Sequence, residues 1–112
     1  MNATYVVDID GTLCTIKEDS EDYKDVRPML AVVDKVNKMY YNGDTVILFT
    51  ARGMRTYNGN VEEIEKHVRP TLEKWLALHN VRYHQLIMGK PWGPNVKYVD
   101  DNNMTIKEFL KV

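Results

Sequence analysis

Tyr5-Val6-Val7-Asp8-Ile9-Asp10-Gly11 says most about how this chain of 112 residues folds. An aromatic and two β-branched residues run into a glycine, the pattern of a short buried strand stopped by a turn. Two aspartates, one residue apart, stand where that strand ends. Working outward, residues 14–26 are polar and acidic and predict a loop or small flap. From Pro28 onward Met29, Val32, Val33, Val36, Met39 and Tyr40 recur at helical spacing, and Asn42-Gly43 supplies a C-terminal cap. Thr45-Val46-Ile47-Leu48-Phe49 is a second buried strand, ending at Thr50.

A loop through Arg52-Gly53-Met54-Arg55 and Asn58-Gly59-Asn60 leads to apolar positions Val61, Ile64, Val68, Leu72, Trp75 and Leu76, again at helical spacing. Pro70 falls inside this stretch and predicts a kink or two successive helices. Residues 81–88 predict a third strand, weakened by the interior pair His84-Gln85. Beyond Gly89-Lys90-Pro91, the run Val96-Lys97-Tyr98-Val99 predicts a fourth strand ending at Asp100-Asp101, and a short helix starts near Thr105. Strands alternating with helices imply right-handed crossovers and a mainly parallel sheet. The fold class expected is α/β, a three-layer Rossmann-like sandwich formed by one domain over residues 1–112.

Composition narrows the function. Apolar residues make up 44% and charged ones 28%, enough for a real core, and the formal charge of −1 supplies no field to hold a nucleic-acid backbone. No signal peptide or long apolar span appears, so no membrane partner is expected. Cys14 is the only cysteine, which excludes an intramolecular disulfide and suits the cytoplasm. Cys14 reads as a small packed side chain rather than a nucleophile. His67, His79 and His84 lack a metal-pair or zinc-finger spacing and read as structural.

In open α/β sheets reactive groups gather beyond the carboxyl ends of the strands. Here those ends carry Asp8 and Asp10, Thr50, Lys90 and the pair Asp100-Asp101. Each alone has an ordinary structural reading: turn aspartates, a helix N-cap, a solvated lysine, a helix-capping acid. Together they match what phosphate-ester cleavage needs, namely a nucleophile, a cation, a proton donor and groups that hold the transferring phosphoryl. Mg2+ takes few hard oxygen ligands from protein, and Asp8 and Asp100 suit it, with help from a main-chain carbonyl. Asp8 is the nucleophile in this reading. Asp10, beside another carboxylate, carries a proton to the leaving alkoxide and later takes one from water. Thr50 and Lys90 donate to phosphoryl oxygens, as do turn amides around Asp10-Gly11-Thr12.

At these residues the chain resembles the haloacid dehalogenase-like (HAD) phosphohydrolase superfamily, from about Tyr5 to Asn102. The motifs are Val7-Asp8-Ile9-Asp10-Gly11-Thr12-Leu13, Leu48-Phe49-Thr50-Ala51-Arg52, Lys90-Pro91 and Val99-Asp100-Asp101. The resemblance implies an HAD-like fold, Mg2+ dependence, Asp8 as nucleophile, Asp10 as acid and base, and Gly11, Thr12, Thr50, Ala51 and Lys90 around the phosphate. It also implies metal ligation by Asp8, Asp100 and the Asp10 carbonyl, with Asp101 either reached through a metal-bound water or orienting Lys90. Ala51-Arg52-Gly53-Met54-Arg55-Thr56-Tyr57-Asn58-Gly59-Asn60 and Gly89-Lys90-Pro91-Trp92 resemble the small bacterial capsule biosynthesis phosphatases. That narrower likeness implies a sugar or polyol phosphate of polysaccharide biosynthesis as substrate.

Many superfamily members insert a cap domain, and this chain has room for none. An open site leaves Tyr57, Trp92 or a neighbouring subunit of a homo-oligomer to exclude water. Trp92 either stacks on substrate or packs its proline-containing loop; Arg52 and Arg55 either bind a second anionic group or are solvated. The enzyme expected is thus a capless phosphomonoesterase acting through an aspartyl-phosphate on a small metabolite. The competing readings are a nucleotide or nucleic-acid-end phosphatase, and a binding module of the same fold without turnover.

Overall fold

A computed structural model describes residues 2–112 and gives an α/β architecture. The elements run β1 (Thr4–Asp8), a 3-10 turn (Tyr23–Asp25), α1 (Leu30–Tyr41), β2 (Thr45–Thr50), α2 (Val61–His67), α3 (Arg69–Leu78), β3 (Gln85–Met88) and α4 (Ile106–Leu110). All strand pairings are parallel, in the order β1-β2-β3, with Val7 opposite Leu48 and Leu48 opposite Leu86. This is the Rossmann-like α/β sandwich the alternation of apolar runs predicts, with the crossover helices on one face of the sheet where three layers were expected, and among the described residues no cap domain interrupts it.

Alternation along the strands explains where the core sits. Val7, Val46, Leu48, Thr50, Leu86 and Met88 point to one face and are buried. There they meet Val32, Val33, Val36 and Met39 of α1 and Leu72, Trp75 and Leu76 of α3 in one cluster. Ile64, Leu72 and Leu76 are fully buried, and each contributes about 1.5–3 kcal/mol by leaving water. The opposite face carries Val6, Ile47, Phe49 and Ile87 and is covered less; Val6 is 59% exposed. Right-handed crossovers in the order 1-2-3 bring α1 and the α2–α3 pair to the same side of the sheet.

The expected helix break is seen. Val68 ends α2 and precedes α3, with Pro70 in the first turn, where its missing N–H has no intrahelical acceptor to lose. Gly43, at φ +95°, closes α1 as its sequence predicts. The flap 14–26 is tied at its base: Thr15 N–H donates to Arg27 O at 2.8 Å and Met29 N–H to Leu13 O at 2.8 Å. Trp75 Nε1 also donates to Val26 O at 2.9 Å, anchoring the flap to α3.

Two strand expectations are corrected. The third strand starts at Gln85, not 81, because His84 takes over the end of the ladder. Its N–H donates to Val46 O at 2.8 Å, its Nδ1 accepts from Val46 N–H at 3.0 Å, and its ring stacks on Tyr40 at 4.5 Å. The run Val96-Lys97-Tyr98-Val99 forms no strand at all. It lies exposed, Val99 at 96%, on the way to α4, which packs on α1 and sets Phe109 against Tyr5 at 5.3 Å. Residues 89–105 must span the distance from β3 to α4, which lies against α1 and Tyr5 of β1, so the run bridges instead of pairing.

Candidate active site

The end of β1 turns sharply. Gly11 adopts φ +84°, where a Cβ would also press Ile16 at 3.3 Å. Ile9 O accepts from the N–H groups of Thr12, Leu13 and Cys14, and Gly11 N–H donates to Cys14 O at 2.9 Å. The turn amides of Gly11 and Thr12, expected as phosphate donors, are therefore taken up by the turn itself. The Thr12 hydroxyl donates instead toward Asp8 Oδ2, at 3.5 Å.

The other strand ends close around this turn. Lys90 Nζ lies 3.3 Å from Asp8 Oδ1, with the two side chains 19% and 34% exposed. Lys90 is fixed from both ends: its N–H donates to Thr50 O at 3.0 Å, and its ammonium sits over the Tyr98 ring at 4.3 Å. Thr50, buried at the end of β2, accepts from Arg52 N–H at 3.0 Å, which bends residues 50–52 toward β1. Ala51 is half-buried in that bend and accepts from Met54 N–H.

Arg52 faces inward. Its guanidinium grips Asp10 at two points, Nη2 to Oδ1 at 2.8 Å and Nε to Oδ2 at 3.3 Å, and stacks over the Tyr23 ring at 4.1 Å. The arginine side chain is 1% exposed and that of Asp10 28%, so this is a largely desolvated, two-point ion pair. Burial, with help from the Asp10 carboxylate and against the opposing pull of Arg52, pushes the Tyr23 phenol above its ordinary range. The same surroundings push the Cys14 thiol up to about 12, burial first and Asp10 second. A thiol held protonated is no nucleophile, in keeping with the packed role read from sequence.

Asp8, Asp10, Thr12, Thr50 and Lys90 thus converge at the carboxyl ends of three strands, whereas Asp100 and Asp101 do not join them. Both are exposed, and Asp100 Oδ1 accepts from Asn102 N–H at 2.8 Å in a local turn. Arg55 is exposed; Tyr57 stacks on His67 at 5.5 Å; Trp92 is 52% exposed. Sequence reasoning missed two partners. Tyr23 is the aromatic in an otherwise polar flap, a signal that it packs on something. The bond from Arg52 to Asp10 spans 42 residues and has no local signature.

The Mg2+ that the motifs imply fits one chain only in part. Asp8 and Asp10 bring hard oxygens to one turn, but among the described residues no three acidic, histidine or cysteine side chains gather into a metal-binding group. The third expected ligand, Asp100, is elsewhere.

No protein-family model matches the sequence, and no curated protein does. Among solved structures, the crystal structure of an MCSG target from Vibrio cholerae is 37% identical, with a TM-score of 0.89 over all of this chain and 89% of that one. The chain belongs to that protein's family. The likeness to the Vibrio cholerae relative runs over the whole of this chain. It assigns no chemistry, which rests on the geometry above. Among the described residues no helix is long and apolar enough to cross a membrane.

Proposed function

We propose that this chain is a Mg2+-dependent phosphomonoesterase of the HAD-like type that works through a phosphoryl group on Asp8. The observation that carries the reading is the solvent-reaching Asp8 carboxylate at the end of β1, with the Lys90 ammonium at 3.3 Å and the Thr12 hydroxyl at 3.5 Å. A carboxylate so flanked can attack phosphorus while both neighbours donate to the phosphoryl oxygens.

Bond by bond, an Asp8 oxygen joins phosphorus as the ester P–O bond breaks, and Asp10 gives its proton to the leaving alkoxide. Water then attacks phosphorus and gives Asp10 its proton, and the Asp8–phosphorus bond breaks to release phosphate. Arg52 adds a condition to this cycle. Both Asp10 oxygens are engaged by the guanidinium at rest; an arriving phosphate offers that guanidinium another anion, and the freed Asp10 takes from solvent the proton it then gives to the leaving alkoxide. Asp8 and the main-chain carbonyl of Asp10 would hold Mg2+, which supplies charge neutralisation for the phosphoryl oxygens.

The substrate class in this proposal is a small phosphorylated metabolite, a sugar or polyol phosphate of capsule-type polysaccharide synthesis, handled in the cytoplasm. The test is phosphate release from a chromogenic phosphate ester and from a panel of sugar phosphates and nucleotides, with and without Mg2+. Wild-type turnover that needs Mg2+ and falls at least 1,000-fold (about 4 kcal/mol in the barrier) in Asp8→Asn is expected. Full activity in that variant would sink the proposal.

A further inference from the structure

Within the described residues β1 hydrogen-bonds to β2 alone, so its other edge is open. Val6 on this strand is 59% exposed, and an open edge of this kind is a template for another strand. Among the described residues, the run Val96-Lys97-Tyr98-Val99 has strand character but no strand partner, and its residues are 40% exposed at Val96, 51% at Tyr98 and 96% at Val99. Edge and run have matching deficits. We infer that two copies of the chain exchange residues 96–112, each adding the strand to the partner's β1 edge in parallel and carrying Asp100 to the partner's Asp8.

This inference rests on the phosphatase reading in one respect, the direction of the added strand. Parallel pairing sets Asp100 beside Asp8 at the carboxyl end of the sheet, with Tyr98 beside Val6. Antiparallel pairing would carry Asp100 to the opposite end, where it serves no purpose in the site.

Chain length is what rules against parallel pairing at the β1 edge within one chain. A parallel strand beyond β1 must cross three strand spacings from β3, about 14 Å, and return about 17 Å to the amino end of the sheet. The direct path is thus about 22 Å, and a right-handed connection takes it across the sheet face opposite the helices. Residues 89–95 are all that is available, and with Pro91 and Pro94 among them they reach about 26 Å only when fully extended. Parallel crossovers take a dozen residues or more. Within one chain α4 docks on its own α1 only because residues 96–100 serve as bridge. Exchange removes the conflict and gives up the contact of Lys90 with Tyr98 within one chain: residues 89–95 become a hinge between subunits, the strand pairs, and α4 docks on the partner's α1. A reciprocal exchange closes as a two-fold dimer, covers the β1 edge of each subunit, and completes each site with one residue from the other subunit.

Light scattering on the intact protein is expected to give the mass of a dimer. Lys97→Pro, an exposed substitution that denies the strand a backbone donor, is expected to give a folded monomer. Lengthening residues 89–95 by about eight Gly/Ser residues, enough for a crossover within one chain, should also yield monomer. These readouts need no enzymatic activity, so they test the exchange even if the phosphatase reading fails.

The site itself is tested by mixing. Asp8→Asn and Asp100→Asn chains, each inactive, are unfolded together and refolded. Under exchange a mixed dimer has one site with both aspartates and one with neither, so about a quarter of parental activity returns. Under pairing within one chain every site lacks one aspartate and none returns. A monomeric parent, a dimer that survives both Lys97→Pro and the lengthened hinge, a fully active Asp100→Asn chain, or a mixture that stays dead while the parent is active would each overturn the inference.

Discussion

Replacing Arg52 by alanine tests whether the Asp10–Arg52 pair organises the site. Removing one partner of a well-buried ion pair costs about 3–5 kcal/mol, because the other charge is left unpaired in a low dielectric. Here the arginine side chain is 1% exposed but Asp10 is 28% exposed, so water recovers part of that loss. Loss of the guanidinium from the Tyr23 ring at 4.1 Å adds to it. The expected destabilisation is about 3 kcal/mol. With a slope near 1.5 kcal/mol per molar urea, the unfolding midpoint drops by about 2 M at fixed protein concentration. Asp10→Asn and the double variant complete a cycle, in which a coupling of about 1–3 kcal/mol is expected. An Arg52→Ala midpoint within 0.3 M of wild type, about 0.5 kcal/mol on that slope, or an additive cycle, would refute the reasoning.

Other consequences follow from the packing. Because Cys14 titrates near 12 when folded against 9.0 for an ordinary thiol, its contribution to stability is complete below pH 9 and declines as pH rises toward 12. At pH 8 a thiol reagent should therefore label the native protein at least 100-fold more slowly than the urea-unfolded chain, and rapid native labelling would contradict the burial described. Leu72→Ala removes a side chain with no exposed surface and should lower stability by about 2–5 kcal/mol in the same urea titration, with secondary structure kept by circular dichroism.

The legible parts of the molecule were those specified locally. Val46, Leu48 and Phe49 run continuously apolar because β2 is the central strand, and Asn42-Gly43 and Pro70 punctuate helices by their own backbone chemistry. The strand ends then announce where Asp8, Thr50 and Lys90 meet. What escaped reading depends on distant partners. His84 reads as an interior strand residue until Tyr40 and Val46 are seen to hold it. Arg52 resembles a solvated arginine or an anion binder until Asp10 and Tyr23 appear around it. The run at Val96 has strand composition, but strand composition cannot state which edge, or which subunit, it pairs with.

The central claim is that Asp8 becomes phosphorylated. Mixing enzyme, Mg2+ and a phosphate ester, quenching in acid during turnover and sequencing the labelled peptide by mass spectrometry tests it most directly. One phosphoryl group on Asp8, removable by hydroxylamine and absent in Asp8→Asn, is the predicted result. Turnover with no phosphoryl group on Asp8, or with the label on another residue, would contradict the account.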